Sequence, residues 1–149
     1  MEITWSCLLA MCRGELLIIL DIPDKPIPYK APQYGSKRTF NPRYQEKQHV
    51  QWILKQQYNG EILTGALSIC FAFYFEVPKS WSKKKKEKAL KGEIRPTKRP
   101  DNSNMLKFIE DCMIGIVIED DSLAVHEEQD KWYSEKAHTV IKIETLYEA

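Results

Sequence analysis

Between Ala66 and Glu76 the sequence alternates with a period of two: Leu67, Ile69, Phe71, Phe73 and Phe75 fall on one side, Ser68, Cys70, Ala72 and Tyr74 on the other. Successive side chains of a strand point to opposite faces, so this spacing predicts a β-strand carrying a face of large apolar groups. Such a strand belongs at the centre of a sheet, buried on its aromatic side, and Pro78 ends it. The rest of the chain must supply neighbouring strands and a covering layer.

Glu15–Asp21 is a continuous apolar run of β type, closed by the segment Ile22–Pro32, whose four prolines forbid helix and ladder alike. Ile116–Ile118 reads as a short strand, and Leu123–Tyr133 and His138–Tyr147 as two antiparallel strands around a turn near Ser134–Ala137. For the covering layer, Asn41-Pro42 offers an N-cap and a first-turn proline to a helix with Val50, Ile53, Leu54 and Tyr58 on one face, stopped by Asn59-Gly60. A second apolar-faced helix spans Asp101–Met113, with Gly115 just beyond it. Ser80 or Ser82 can cap a short basic helix through Leu90 that stops at Gly92. The expected fold is a single α+β domain: a mixed sheet of about five strands packed with two main helices and one short basic helix.

That domain is assigned to residues 15–149, and residues 1–14 are left as an N-terminal extension of unassigned role. Its apolar patch Leu8–Met11 is too short and wrongly flanked for a secretory signal. The longest apolar run, near Ala66–Phe75, is far below the roughly 18–20 residues of a membrane span, so no membrane partner is expected. Cys7, Cys12, Cys70 and Cys112 form no C-x-x-C pair, which fits a reduced, cytoplasmic compartment, with Cys70 and Cys112 as core residues. His49, His126 and His138 have no ligand spacing, and Trp52, Trp81 and Trp132 read as core or interface aromatics.

The net charge of +1 conceals segregation. Between Lys79 and Arg99 ten basic residues face two acids, a local +8, while from Asp101 to Ala149 twelve acids face four lysines, a local −8. A lysine run alone is usually a solvated face. Here Arg95 and Arg99 join the run, which leads straight into carboxylates, a pairing that suits phosphodiester chemistry: cations hold the backbone and acids hold divalent metal.

Around the second helix stands Pro100-Asp101-Asn102-Ser103-Asn104-Met105-Leu106-Lys107, then Asp111, then an apolar segment ending in Glu119-Asp120-Asp121-Ser122. This resembles the RusA family of Holliday junction resolvases, whose pattern is approximately P-D-x-D-N-L-x-K, an aspartate on the same helix, and an apolar strand ending in D-D-S/E. The Ser80-Trp81-Ser82 element with its four lysines and the opening strand with its proline-rich loop extend the likeness over about residues 16–144. The resemblance implies a divalent-metal-dependent endodeoxyribonuclease of four-way junctions, acting as a homodimer. It assigns Asp101 and Asp121 to catalysis and to Mg²⁺ or Mn²⁺, Asp120 as a further metal ligand, and Lys107 to charge neutralisation. Asn104 and Asp111 match motif positions. Lys83, Lys84, Lys85, Lys86, Arg95, Lys98 and Arg99 are assigned to DNA phosphates, with Lys37 and Arg38 as helpers.

Ser103 departs from the pattern, standing where the family has its second aspartate. Mg²⁺ needs only one or two carboxylates beside water and phosphate, so Asp101 and Asp121 suffice for a minimal site, though a weaker one. The alternative is a junction-binding protein of the same fold with weakened or absent cleavage. A third reading is an unrelated interaction domain with an acidic partner. Asp101 or Ser103 as a helix cap, Asp120-Asp121 as turn acids and Lys107 as an exposed helix lysine are the plain structural readings.

Overall fold

In a computed structural model that describes residues 17–147, strand β4 (Ala66–Glu76) lies inside a four-stranded mixed sheet. Its neighbours are β5 (Ala124–Ser134), parallel to it, and β6 (His138–Tyr147), antiparallel; β1 (Leu17–Ile22) completes the order β1-β6-β4-β5. The strands after residue 123 therefore run in opposite directions but do not pair with each other: β4 is inserted between them. The reason is burial. Leu67 through Tyr74 are all buried, so β4 is covered on both faces and not on the aromatic face alone, and a strand with no exposed face takes a central position.

Helices α1 (Tyr44–Gln57) and α3 (Asn102–Met113) cover the phenylalanine side. Val50, Ile53 and Leu54 from α1, and Met105, Phe108, Ile109, Cys112 and Met113 from α3, close over Leu67, Ile69, Phe71 and Phe73, with Leu20 of β1 and Ile141 and Ile143 of β6 beside them. Burying each such side chain contributes about 1.5–3 kcal/mol, which is why the i, i+3, i+4 pattern of both helices is decisive here. Cys70 and Cys112 are free and fully buried; burial pushes both thiols up to about 12, so they are inert core groups. Cys7 and Cys12 and the extension 1–14 lie outside the described residues.

Several local expectations shift. Helix α1 starts at Tyr44, with Arg43 at its N-cap; Asn41 and Pro42 form the preceding turn, where Asn41 Oδ1 accepts from Arg43 N–H. Ile116–Ile118 is not a strand. Val117 and Ile118 donate their N–H groups back to Met113 O in a turn after α3, which leaves only single bridges to Leu63 and Ile114. A small ribbon, β2 (Gln33–Tyr34) with β3 (Thr39–Phe40), follows the proline-rich loop, and Lys37 and Arg38 sit in its turn. Trp52 is 60% exposed on α1 and is no core residue. No helix among the described residues is long and apolar enough to cross a membrane.

The basic helix α2 (Lys83–Leu90) starts as expected at Ser82, whose Oγ accepts from Lys85 N–H at 3.3 Å. It ends at Gly92, which has φ +83° and whose missing Cβ would meet the Trp132 ring at 3.0 Å. Only glycine satisfies both the left-handed backbone and the close approach.

Candidate active site

The chain entering α3 is held by β5. Lys131 Nζ donates to Lys98 O at 2.6 Å and to Pro100 O at 2.9 Å, fixing the segment that delivers Asp101. Asp101 occupies the N-cap of α3 in extended conformation, yet its carboxylate makes no capping hydrogen bond and is exposed. The side chain is in the place of a cap but is not consumed by that role. Next to it, Asn102 Oδ1 is buried without a partner.

Ser103, Asn104 and Lys107 share the exposed side of α3, at the spacing of one helical turn. Lys107 Nζ lies 4.1 Å above the Tyr29 ring, and Tyr29 N–H donates to Asn104 O at 2.9 Å. The proline-rich loop is thus anchored to α3 and holds the Lys107 ammonium over Tyr29 by a cation–π contact. No carboxylate occupies the Ser103 position.

The other acids gather at the far end of the helix. Asp120 caps the 3-10 turn Asp121–Leu123, accepting from Ser122 N–H at 3.3 Å and from Ser122 Oγ–H, and these bonds hold its carboxyl below the ordinary value. Asp120 has a structural task; Asp121, first in the turn, is exposed. Glu110 is buried to 8% residual exposure, with Oε1 unpartnered, and burial followed by the facing Glu127 carboxyl pushes it up to about 9. Asp121 and Asp111 add to the same effect. Because the folded-state value lies above the ordinary 4.5, the folded chain holds a proton that the unfolded chain releases. Stability of the metal-free protein is therefore expected to fall as pH rises from about 4.5 to about 9. Glu110→Gln should flatten that slope in urea titrations; an unchanged slope would contradict the burial argument.

Asp101 and Asp121 flank α3 in the sequence. Asp101 precedes its first residue, while the turn carrying Asp121 follows its last and acts on Glu110. Among the described residues no group of three or more His, Cys, Asp or Glu side chains is placed to hold a metal ion. The available donors are hard oxygens of the kind Mg²⁺ and Mn²⁺ take.

Lys83, Lys84 and Lys85 are exposed on α2 and Lys86 is half-buried; Lys98 and Arg99 are exposed on the loop leading to Asp101. Lys85 Nζ sits 4.0 Å over Trp81, which meets Tyr133 edge to face. Arg95 is committed differently. Its Nε donates to Lys131 O at 2.7 Å, its Nη2 to Asp130 at 3.1 Å, and its guanidinium lies 3.6 Å over Trp132, so it ties the basic loop to β5. The histidines pair locally: His49 with Asp24, His126 with Glu128, His138 stacked on Tyr74.

Three residues with a part in this arrangement escape sequence reasoning. Lys131 looks like one strand lysine among others until its two carbonyl partners are seen. Glu110 and Glu127 come from segments 17 positions apart. The available signal was Glu110, which with Asp111 stands between Ile109 and Cys112 and falls one residue after Ile109 of the apolar face.

A family model described as "Endodeoxyribonuclease RusA" matches residues 23–144, from the loop after β1 to β6. The uncharacterized protein YqaN of Bacillus subtilis (strain 168) is 39% identical over 99 residues, covering 65% of this chain and 70% of that protein.

Proposed function

This chain belongs to the RusA endodeoxyribonuclease family, and on that premise we propose that it nicks four-way DNA junctions with a divalent cation, Mg²⁺ or Mn²⁺, as a cytoplasmic homodimer. The observation that carries the reading is the Asp101 carboxylate, exposed at the start of α3, released from capping, and reached through a loop bearing Lys98 and Arg99. Asp101 and Asp121 would hold the cation, with Asp120 orienting the turn on which Asp121 stands. A bound divalent ion supplies charge stabilisation at phosphorus and a water acidic enough to attack near neutral pH.

The chain's own residues supply the rest. Lys83–Lys86, Lys98 and Arg99 bind backbone phosphates without reading sequence. Lys107, held over Tyr29, would neutralise the charge that develops on the scissile phosphate. Arg95, spent on Asp130 and β5, positions the basic loop. A two-fold axis gives the homodimer two copies of this site. Two such sites match two symmetric nicks.

Synthetic four-way junctions incubated with the protein, with and without Mg²⁺ or Mn²⁺, test the reading. Paired symmetric nicks only with metal are expected, and binding that weakens steeply between about 50 and 200 mM salt and exceeds binding to linear duplex. Junction binding without nicking in either metal would favour the second reading, a non-cleaving junction binder, which the uncharged Ser103 supports. Ser103→Asp should then restore cutting if the absent carboxylate is the cause.

A further inference from the structure

The Glu110–Glu127 pair is the feature of the fold with the poorest account in terms of stability. Glu127 pairs in register with Ile69 of β4, a core residue beneath the helices, so its side chain projects from the sheet towards α3. Glu110, on α3, is buried where the Glu127 carboxyl acts on it and pushes its own carboxyl up. Neither forms an ion pair among the described residues; the neighbouring Lys107 is engaged over Tyr29. Glu110 is more than nine-tenths buried and its Oε1 has no hydrogen-bond partner. Two acids brought together with an orphaned buried oxygen cost stability unless something positive joins them.

We propose that Glu110 and Glu127 form a divalent-cation site of their own, a two-carboxylate site of the kind Mg²⁺ and Mn²⁺ use, completed by water and by a DNA phosphate when substrate is bound. Asp121, exposed at the turn before β5, is a further acid whose charge reaches Glu110. This site deepens the nuclease reading: it adds a cation-binding carboxylate pair to a chain whose Ser103 carries no charge. Its existence does not depend on that reading.

The test is Mn²⁺ binding by the full-length protein without DNA, followed by the electron paramagnetic resonance signal of free Mn²⁺. Wild type is expected to bind, and Glu110→Gln and Glu127→Gln to weaken binding at least tenfold, while Glu93→Gln, far off beside α2, leaves it unchanged. Circular dichroism checks folding, and if Glu110→Gln does not fold, the exposed Glu127→Gln decides. No Mn²⁺ binding by wild type, which would mean a proton shared between the carboxyls, overturns the proposal, as does wild-type affinity in Glu127→Gln or in folded Glu110→Gln. Junction nicking separates the two readings: Mn²⁺ bound by the pair without nicking refutes only the nuclease, and nicking with wild-type Mn²⁺ affinity in both variants refutes only this site.

Discussion

Asparagine in place of Asp101 is expected to reduce junction nicking by about 10²-fold or more, with junction affinity and thermal stability close to wild type. The size follows from removing a negative ligand while keeping shape. The specificity follows from the cap: Asn and Asp are about equally good N-cap residues, and Asp101 makes no capping hydrogen bond to lose. A helix-start role alone would therefore leave activity intact. Asp121→Asn should give the same loss from the other end of α3. If both aspartates serve one site built from two subunits, mixing the two inactive variants restores part of the nicking, because a mixed dimer retains one site with both carboxylates. Full activity in Asp101→Asn would show that the site is elsewhere.

Phe71→Ala is expected to cost about 3–5 kcal/mol, a large part of the roughly 5–15 kcal/mol that holds a domain together. Phe71 is 1% exposed in the central strand, stacked 6.2 Å from Phe73, and roofed by α1 and α3, so neighbouring groups cannot collapse into the gap. Urea denaturation at neutral pH measures the change, and a loss below about 1 kcal/mol would show that the core relaxes around the hole. The same substitution should also weaken junction nicking at elevated temperature by unfolding, unlike Asp101→Asn, which acts without changing the melting point.

Much of this was legible from local patterns. The period of two in Ala66–Glu76, the helical spacing of Val50, Ile53 and Leu54, the Ser82 cap and the Gly92 stop each follow from interactions within one element or its first turn. So did the candidate acids Asp101 and Asp121, through motif spacing. What failed were statements about partners distant in sequence. Ile116–Ile118 has strand composition, but the carbonyl of Met113 captures its N–H groups. The strands flanking Ser134–Ala137 look like a hairpin, but β4, buried from Leu67 to Tyr74, pairs with both of them and takes the place between them.

The sequence by itself determined the elements, the apolar faces, the segregation of charge and the family motif, because each depends on residues a few positions apart and on the periodicity of helix and strand. Only the tertiary structure decided which charged groups meet. It set Lys131 under the loop before Asp101, spent Arg95 on Asp130 and Trp132, and buried Glu110 where the Glu127 carboxyl acts on it. Electrostatic energy depends on distance through space and on exclusion of water, and neither is encoded in spacing along the chain.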